Sequence, residues 1–374
     1  MASKLLLVAT LDPGALWRMF RAVALLALIL ALPSTPALAE PTLYPALNGA
    51  ADARVLRVYS SLDGPLAQPM IRAFQARYPG IAVSYEDLQT VDIYDRVIAE
   101  TDAGETTADF AFSSSMDLQV KLANDGYAQE SKVSLSATWP KWANWRNTAY
   151  ALTYEPAVFI YHKPSFAGSE PPATRAELLA YLQANADAIH GRIGTYDIDR
   201  SGVGFMFLSR DQEQYSDLWA LVGAMGAAGV KLYSTTAAIV ERVASGQFVF
   251  GYNILGSHAA EAAARNPDLG IVLPRDYTIV TSRIGLVPKA AGHPDLGQAF
   301  LEFFMSAQGQ AIMAEQLQIA ALNPAVLGPN TATAMQEALG DQLRPTPVSP
   351  GLMVYLDQVK RTRLIARWND ALIQ

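Results

Sequence analysis

Short apolar segments alternate with helix-like segments along most of this chain, and this alternation limits the possible folds more than any other property of the sequence. RVLRVYSS, which begins at Arg54, predicts a strand. PLAQPMIRAFQARYP, a little further on, has helical spacing, with Pro65 suited to a first turn. IAVSYEDL and ADFAFSSS predict the next two strands, and a helical pattern follows each of them. Repeated strand and helix alternation is typical of an α/β fold.

The alternation stops between residues 139 and 163, where aromatic residues are frequent and two extended strands are predicted around Glu155. We interpret this segment as a crossing between two domains. A second α/β set follows it, and IVLPRDYTIVTSRIGLVPK predicts an extended return to the first domain. The predicted divisions are a first part of lobe 1 in residues 50–153, lobe 2 in residues 154–272, and the lobe 1 return with C-terminal helices in residues 273–374.

Composition supports this size and class. With 374 residues, the chain is long enough for two domains of ordinary size. Its hydrophobic fraction of 51% and charged fraction of 17% are typical of a globular protein. The formal net charge of -7 and the lack of a basic patch argue against nucleic acid as a partner. Because the chain has no cysteine, disulfides, thiolate metal sites and cysteine nucleophiles are excluded.

The first 39 residues have the order of a secretory signal peptide. Arg18 and Arg21 precede the apolar run AVALLALILAL, and the small-residue site Ala37-Leu38-Ala39 follows it. The apolar run is about eleven residues long, well short of the roughly 20 that a spanning helix needs. We therefore expect residues 1–39 to be removed and the mature protein to be exported to the periplasm.

Polar residues stand where the predicted strands end, two groups in each predicted lobe. In open parallel sheets, ligands bind outside the carboxyl ends of the strands. A helix cap would explain one such turn, whereas four of them predict two half-sites that face each other across a cleft. The candidate ligand-binding residues at these ends are Ser60, Ser61, Ser113, Ser114, Ser115, Tyr196, Asp197, Tyr252 and Asn253.

The segment GTYDIDRSGVGFMF places Ser201 and Gly202 at a predicted turn from a strand to a helix. A Ser followed by Gly at a helix start presents a hydroxyl and unpaired backbone N–H groups, and the helix dipole favours negative charge there. The alternative is that Ser201 only caps the helix. We predict that both residues contact an anionic ligand.

Several motifs, in this order, make the chain similar to the periplasmic solute-binding proteins of ABC importers, specifically the ferric-iron-binding type. They span most of residues 54–323 and comprise VYSSLDGPLAQPMIRAFQARYPGI, ADFAFSSSMDLQVKLANDG, YALTYEPAVFIYHKP, GTYDIDRSGVGFMF and HPDLGQAFLEFFMSAQGQ. The resemblance implies a two-lobed periplasmic binding protein fold of type II, with two crossing strands between the lobes. It also implies closure on a ligand and delivery to an ABC permease, or signalling to a membrane sensor.

The resemblance does not extend to the metal. Iron-binding members hold Fe(III) with adjacent tyrosines in a loop of the second domain, which here corresponds to positions near Gly256 and Ser257. Tyr252 is a single tyrosine several residues earlier. We therefore predict no metal site and no cofactor, and keep ferric iron with a synergistic anion as the alternative.

Arg283, in TSRIG, is a cation within an apolar strand, and its guanidinium suits a carboxylate or phosphate. We predict that it binds the anion, and the alternative is an ion pair with a residue such as Asp276. A third alternative is a secreted enzyme that uses Asp63, Asp117 or Asp197 as acid or base. No G-x-S-x-G elbow supports it. We expect a monomeric, non-catalytic protein that binds a small anion.

Overall fold

The computed structural model describes residues 40–134 and 139–373. The signal peptide predicted for residues 1–39 lies outside the described residues. Among the described residues, no helix has the length and apolar character that a membrane crossing requires.

The strands are short, and their inward side chains form the buried layers of the protein. In the strand that begins at Arg54, for example, Leu56 and Val58 point inward and are fully buried. The strands are β1 (Thr42–Tyr44), β2 (Arg54–Ser60), β3 (Ile81–Asp87), β4 (Phe110–Ser113), β5 (Asn144–Trp145), β6 (Ala149–Ala151), β7 (Glu155–His162), β8 (Ile193–Tyr196), β9 (Lys231–Tyr233), β10 (Phe250–Leu255), β11 (Leu269–Val272), β12 (Thr278–Thr281), β13 (Ile284–Leu286) and β14 (Leu343–Pro345).

Most helices follow directly from a strand, as the sequence pattern predicts. Pro65 stands in the first turn of the first helix, where its missing N–H has no helical partner to lose. The helices are α1 (Gly64–Arg77), α2 (Thr90–Asp102), α3 (Met116–Asn124), α4 (Arg175–Asn185), α5 (Gly202–Gln214), α6 (Leu218–Ala227), α7 (Thr236–Ala244), α8 (Gly256–Arg265), α9 (Pro294–Met305), α10 (Ala307–Gln316), α11 (Ala332–Leu339) and α12 (Gln358–Ile373).

Two mixed sheets define two lobes. The sheet of lobe 1 has the order β1-β3-β2-β4-β13-β6-β5, and that of lobe 2 has the order β14-β12-β7-β10-β8-β9, with β11 paired to β7. The pairs β2–β3 and β2–β4 are parallel, as are β8–β9 and β8–β10. The carboxyl ends of these parallel strands are followed by helices, so each lobe presents its helix starts at one edge of its sheet.

Two strands carry the chain between the lobes, which confirms the predicted two-lobed fold. The first crossing joins β6 to β7 through Leu152, Thr153 and Tyr154, and the second joins β12 to β13 through Ser282 and Arg283. The crossings bond to each other: Leu152 N donates to Arg283 O over 3.0 Å, and Arg283 N donates to Thr153 Oγ1 over 2.7 Å. The connection between the lobes is therefore a paired ribbon.

Apolar side chains pack closely in both lobes. Phe74, Phe300 and Phe304 pack edge to face in lobe 1, with the centroids of Phe74 and Phe300 4.8 Å apart. In lobe 2, Phe250 packs within a cluster that includes Trp368 of α12. The last helix is therefore part of the lobe 2 core.

The C-terminal segment makes a further link between the lobes. After β14, which pairs with β12, a 3₁₀ helix at Pro350–Tyr355 packs against α3 of lobe 1. After two further residues α12 begins, and it packs on α6 of lobe 2. The two helices are in close contact, since a Cβ added at Gly226 would lie 2.3 Å from the Leu372 carbonyl oxygen. We call Pro350–Ile373 the C-terminal strap.

Candidate functional site

A small cavity of about 60 Å³ lies between the lobes, at the carboxyl ends of their strands. Its volume is less than half of the roughly 150 Å³ that holds a benzene molecule. Larger depressions exist elsewhere, such as one of about 360 Å³ beside Tyr78 and Phe303, at the other end of α1. The residues that line this interlobe cavity are Ser61, Asp63, Asp87, Leu88, Gln89, Thr90 and Ser114 from lobe 1, and Ser201, Val203, Ser234, Thr235, Thr236, Ala237, Leu255 and His258 from lobe 2.

Five helices begin at this cavity. The N-cap residues of α1, α2, α5, α7 and α8 are Asp63, Gln89, Ser201, Thr235 and Leu255, and all five line it. In α1, α2 and α8 the N-cap side chain makes no capping hydrogen bond. First-turn N–H groups and the positive ends of five helix dipoles therefore converge on one small volume, which favours a negatively charged group there.

The lobes touch beside the cavity. Gly202 N, at the start of α5 in lobe 2, donates to Thr90 Oγ1 of lobe 1 over 3.1 Å. A Cβ at Gly202 would lie 2.5 Å from Ser115 Oγ and 2.8 Å from Thr90 Oγ1, both in the opposite lobe. This arrangement is therefore closed, and residue 202 is one of its contact points.

Ser61 and Ser114 lie at the ends of the adjacent strands β2 and β4 and are joined across them. Ser114 N donates to Ser61 Oγ over 3.0 Å, and the two hydroxyl oxygens are 3.3 Å apart. Arg283 Nη1 donates to Ser61 Oγ over 3.2 Å and to the Ser61 carbonyl over 3.0 Å. The Arg283 guanidinium thus holds Ser61 in position by two hydrogen bonds, and Ser61 and Ser114 form part of the cavity wall.

Ser201 caps α5 and also lines the cavity. Its Oγ accepts a hydrogen bond from Gly204 N over 3.2 Å, which makes it the N-cap of α5. It is also part of the cavity wall. Contact of Ser61, Ser114 and Ser201 with a ligand remains a prediction.

Two carboxylates in the cavity wall, Asp63 and Asp87, oppose the positive helix ends. The carboxylate of Asp87 accepts from Gly64 N over 3.3 Å. Burial and the nearby negative charge of Asp63 together raise the pKa of Asp87 to about 6. A ligand that enters this cavity therefore meets hydrogen-bond acceptors as well as donors.

Arg283 is buried behind the wall and is paired within the protein. Its Nε lies 3.2 Å from Glu155 Oε1, and both side chains are inaccessible to solvent. The Glu155 carboxylate also accepts from Thr153 Oγ1 over 2.7 Å and from Ser257 Oγ. The ion pair considered for Arg283 therefore exists, but its partner is Glu155 and not Asp276. The structure does not place the guanidinium on the cavity surface.

Three other predicted residues serve the turns around the cavity. Ser60 Oγ accepts from Leu62 N over 3.0 Å. Ser113 Oγ accepts from Ser115 N over 3.2 Å, and Ser115 Oγ donates to Asp117 over 2.6 Å. Ser60, Ser113 and Ser115 are buried in these turns and do not line the cavity.

Tyr196 and Asp197 also lie outside the cavity wall. The hydroxyl of Tyr196 is 2.6 Å from Thr236 Oγ1, and burial raises the pKa of Tyr196 to about 12. Asp197 accepts from Asp199 N over 3.1 Å and lies 3.9 Å from the exposed Arg200. These two residues shape the loop that leads into α5.

Tyr252 and Asn253 face the interior of lobe 2. The Tyr252 hydroxyl donates to Asp211 Oδ2 over 2.6 Å, and Asn253 Nδ2 donates to the same oxygen over 2.5 Å. Arg175 and Tyr277 also bond to Asp211. Asn253 adopts a left-handed φ of 54° at a break in the strand register, which turns both side chains inward. We call Arg175, Asp211, Tyr252, Asn253, Asp276 and Tyr277 the Arg175 cluster.

The sequence analysis missed part of the wall. Asp87 ends β3, and Gln89 and Thr90 follow it, with the same polar strand-end signal as the other turns. Thr235 follows β9, a strand too short to be predicted. His258 was not among the candidates, because nothing in the sequence places it beside Asp63.

Within residues 40–134 and 139–373, no three acidic, histidine or cysteine side chains gather in the way that a metal site requires. Tyr252, the single tyrosine considered for iron, donates its hydroxyl to Asp211 inside lobe 2. Burial raises the pKa of Tyr252 well above its usual value, which disfavours the phenolate that Fe(III) needs.

Comparisons with known proteins place the chain in a family. The model of the bacterial extracellular solute-binding proteins matches residues 69–338. The substrate-binding protein of an ABC transporter from Agrobacterium tumefaciens is 68% identical, and the match covers 90% of this chain and 100% of that one, with a TM-score of 0.88. A search of curated proteins gave no significant match.

More distant solved structures share the fold. The periplasmic binding protein AfuA from Actinobacillus pleuropneumoniae, with fructose 6-phosphate bound, is 16% identical over 86% of this chain and 99% of that one, with a TM-score of 0.71. Iron-bound HitA from Pseudomonas aeruginosa is 15% identical over 85% and 99%, with a TM-score of 0.64. The chain belongs to the bacterial extracellular solute-binding proteins, as the solute-binding protein of an ABC transporter.

Proposed function

We propose that this protein captures a small anionic solute in the interlobe cavity and delivers it to the permease of its ABC transporter. The observation that carries the proposal is the convergence of five helix N-termini on that cavity. Backbone N–H groups and helix dipoles at such ends attract anions without any charged side chain.

Neutral hydroxyl donors complete the proposed site. Ser61 and Ser114 supply hydroxyls from lobe 1, and Ser201 and Thr235 supply them from lobe 2. The positive charge of Arg283 is compensated by Glu155, so the anion gains little from it directly. Because both lobes contribute donors, the ligand binds most tightly when the lobes are closed.

The carboxylates of Asp63 and Asp87 limit which anions can bind in the cavity. A fully deprotonated ion without donors, such as sulfate, would offer neither carboxylate a hydrogen bond and would be repelled by both. An anion that also carries hydroxyl or ammonium donors can bond both to the donors and to the carboxylates of the cavity wall. We propose an anion of that mixed kind.

We also propose that the mature protein acts in the periplasm as a monomer, after removal of the signal peptide, and binds its ligand without a cofactor and without chemical change. The family assignment supports an extracytoplasmic role. Release of product from any solute incubated with the protein would contradict the non-catalytic role and favour the secreted acid/base enzyme.

Native mass spectrometry of protein purified from its own periplasm tests the anionic ligand directly, since it weighs what is bound. Calorimetric titration with inorganic phosphate, fructose 6-phosphate and Fe(III) citrate follows. We expect a bound anion and no iron-phenolate absorption band. A bound cation, or a visible band on addition of iron that is lost in Tyr252→Phe, would contradict the proposal.

A further inference from the structure

The imidazole of His258 contacts Arg283 in a way that determines which of its nitrogens carries a proton. Arg283 Nη2 lies 3.2 Å from His258 Nε2. A guanidinium has only donors, so Nε2 must be the acceptor and carries no proton. A neutral imidazole protonates one nitrogen, and the proton is therefore on Nδ1.

The surroundings keep this imidazole neutral. His258 is 8% exposed, and burial lowers its pKa, as does the positive charge of Arg283. Asp63 and Glu155 act in the opposite sense and more weakly. On its own helix, Glu261 is paired with Arg265. His258 therefore offers the cavity one N–H donor and no charge.

The donor faces an acceptor across a gap. His258 Nδ1 is 4.0 Å from Asp63 Oδ2, which is too far for a direct hydrogen bond. Both side chains line the cavity, and they come from opposite lobes. A single oxygen that accepts from Nδ1–H and donates to the carboxylate fits such a gap. A hydroxyl group has both capacities, whereas a carboxylate oxygen or a fully ionised phosphate oxygen has only the first.

We propose that the solute carries a hydroxyl group that bridges His258 Nδ1–H and Asp63 Oδ2, and that Arg283 is a positioning residue that sets the histidine tautomer. The ligand class is then a hydroxylated small anion, either a hydroxy acid or a polyol phosphate. This inference rests on the proposed function and narrows it. Because the two partners belong to different lobes, the hydroxyl also helps to hold the closed state.

Matched probe pairs test the hydroxyl by calorimetry: glycerol 3-phosphate against propyl phosphate, and lactate against propionate. We expect the hydroxylated member of at least one pair to bind about tenfold to a hundredfold more tightly, because its analogue leaves the carboxylate and the N–H unpaired. The preference should disappear in Asp63→Ala and persist in Asp199→Ala, which removes an exposed carboxylate outside the cavity.

The outcomes separate the two proposals. Equal binding within both pairs would overturn the hydroxyl bridge and leave the anionic site standing. Binding of none of the four probes would overturn both. A preference that survives in Asp63→Ala would overturn the assignment of the bridge.

The tautomer is measured without any ligand. In ¹⁵N-labelled protein, the His258 ring signals are assigned by their loss in His258→Gln, and we expect protonated Nδ1 and bare Nε2 at about pH 7. The paired variant Arg283→Met with Glu155→Met removes the buried charges together and should release the tautomer preference. A proton on Nε2, or an imidazolium at that pH in the parent protein, would overturn the role of Arg283.

Discussion

The interlobe cavity and the Arg175 cluster both gather polar side chains, but the side chains of the cluster bond to one another, whereas those of the cavity face an open volume. In the cluster, Asp211 accepts from Tyr252, Asn253, Tyr277 and Arg175, and all of its partners are within the protein. In the cavity, helix starts and the carboxylates of Asp63 and Asp87 face an open volume. Polar side chains that bond to one another stabilise the fold, whereas polar groups that line a cavity can bind a ligand.

The largest effect on stability is expected from a substitution that disrupts the Arg175 cluster. Asp211→Ala removes the acceptor shared by four donors and leaves Arg175 without its buried partner. We expect a loss of about 3–5 kcal/mol in the free energy of unfolding, measured by denaturant titration. The ligand found by native mass spectrometry should still bind to the folded fraction.

Asp217→Ala is the matched control, since Asp217 is exposed at the start of α6 and makes no capping hydrogen bond. It should change stability by less than about 0.5 kcal/mol. If Asp211→Ala is as stable as this control, the cluster does not stabilise lobe 2 as we infer.

The next effect concerns closure. Gly202→Ala places a methyl group against Ser115 and Thr90 of the opposite lobe. We expect the affinity for the identified ligand to fall by at least about tenfold, because the closed state is strained while each lobe stays intact. Calorimetry measures the affinity, and small-angle X-ray scattering measures the closure.

Gly292→Ala serves as its comparison, because a Cβ there meets atoms of lobe 1 alone, at an ordinary 3.8 Å. Loss of affinity in both glycine variants would mean that the effect at position 202 is not specific to the contact between lobes.

A pair of helix caps sharpens the comparison further. Ser201 caps α5 at the cavity, and Ser306 caps α10 in lobe 1, each by accepting from a glycine N–H three residues later. Ser201→Ala and Ser306→Ala should each cost about 0.5–2 kcal/mol of stability. Only Ser201→Ala should also weaken ligand binding. If the two variants bind equally well, Ser201 is a cap and nothing more.

The smallest effect is a pH dependence. The pKa of Asp87 is raised to about 6, so lowering the pH from about 7.5 to about 5.5 protonates this carboxyl and removes a negative charge from the cavity. Affinity for an anion should then rise by about threefold. The measurement is the ratio of parent to Asp87→Asn affinity, which cancels the titration of the ligand itself. A ratio that falls with decreasing pH would show that the hydrogen bond from the ligand to ionised Asp87 outweighs the repulsion between the two negative charges.

The same two regions show which structural features can be predicted from the sequence. The two lobes and their crossing strands follow from the periodicity of apolar residues, because that periodicity is what allows sheets and helices to bury a common face. Polar residues at strand ends were predicted as ligand-binding residues both at the interlobe cavity and in the Arg175 cluster. Ser114 lies in the cavity wall, whereas Tyr252 turns into lobe 2.

The division between wall and interior depends on details that periodicity does not contain. A break in register at Asn253 redirects the side chains at the end of β10, and a change of one position in a strand reverses the face that a residue occupies. Arg283 could be recognised as unusual in an apolar strand. Its partner Glu155 lies on the other crossing strand, and only the folded ribbon brings the two together.

The C-terminal strap limits how far the cleft can open. Only Leu356 and Asp357 separate the 3₁₀ helix that packs on α3 from the helix that packs on α6. A fully extended chain advances at most about 3.6 Å per residue, so Tyr355 and Gln358 cannot be more than about 11 Å apart. The strap therefore limits how far the lobes can rotate apart. A wider opening requires the strap to separate from one of the lobes first.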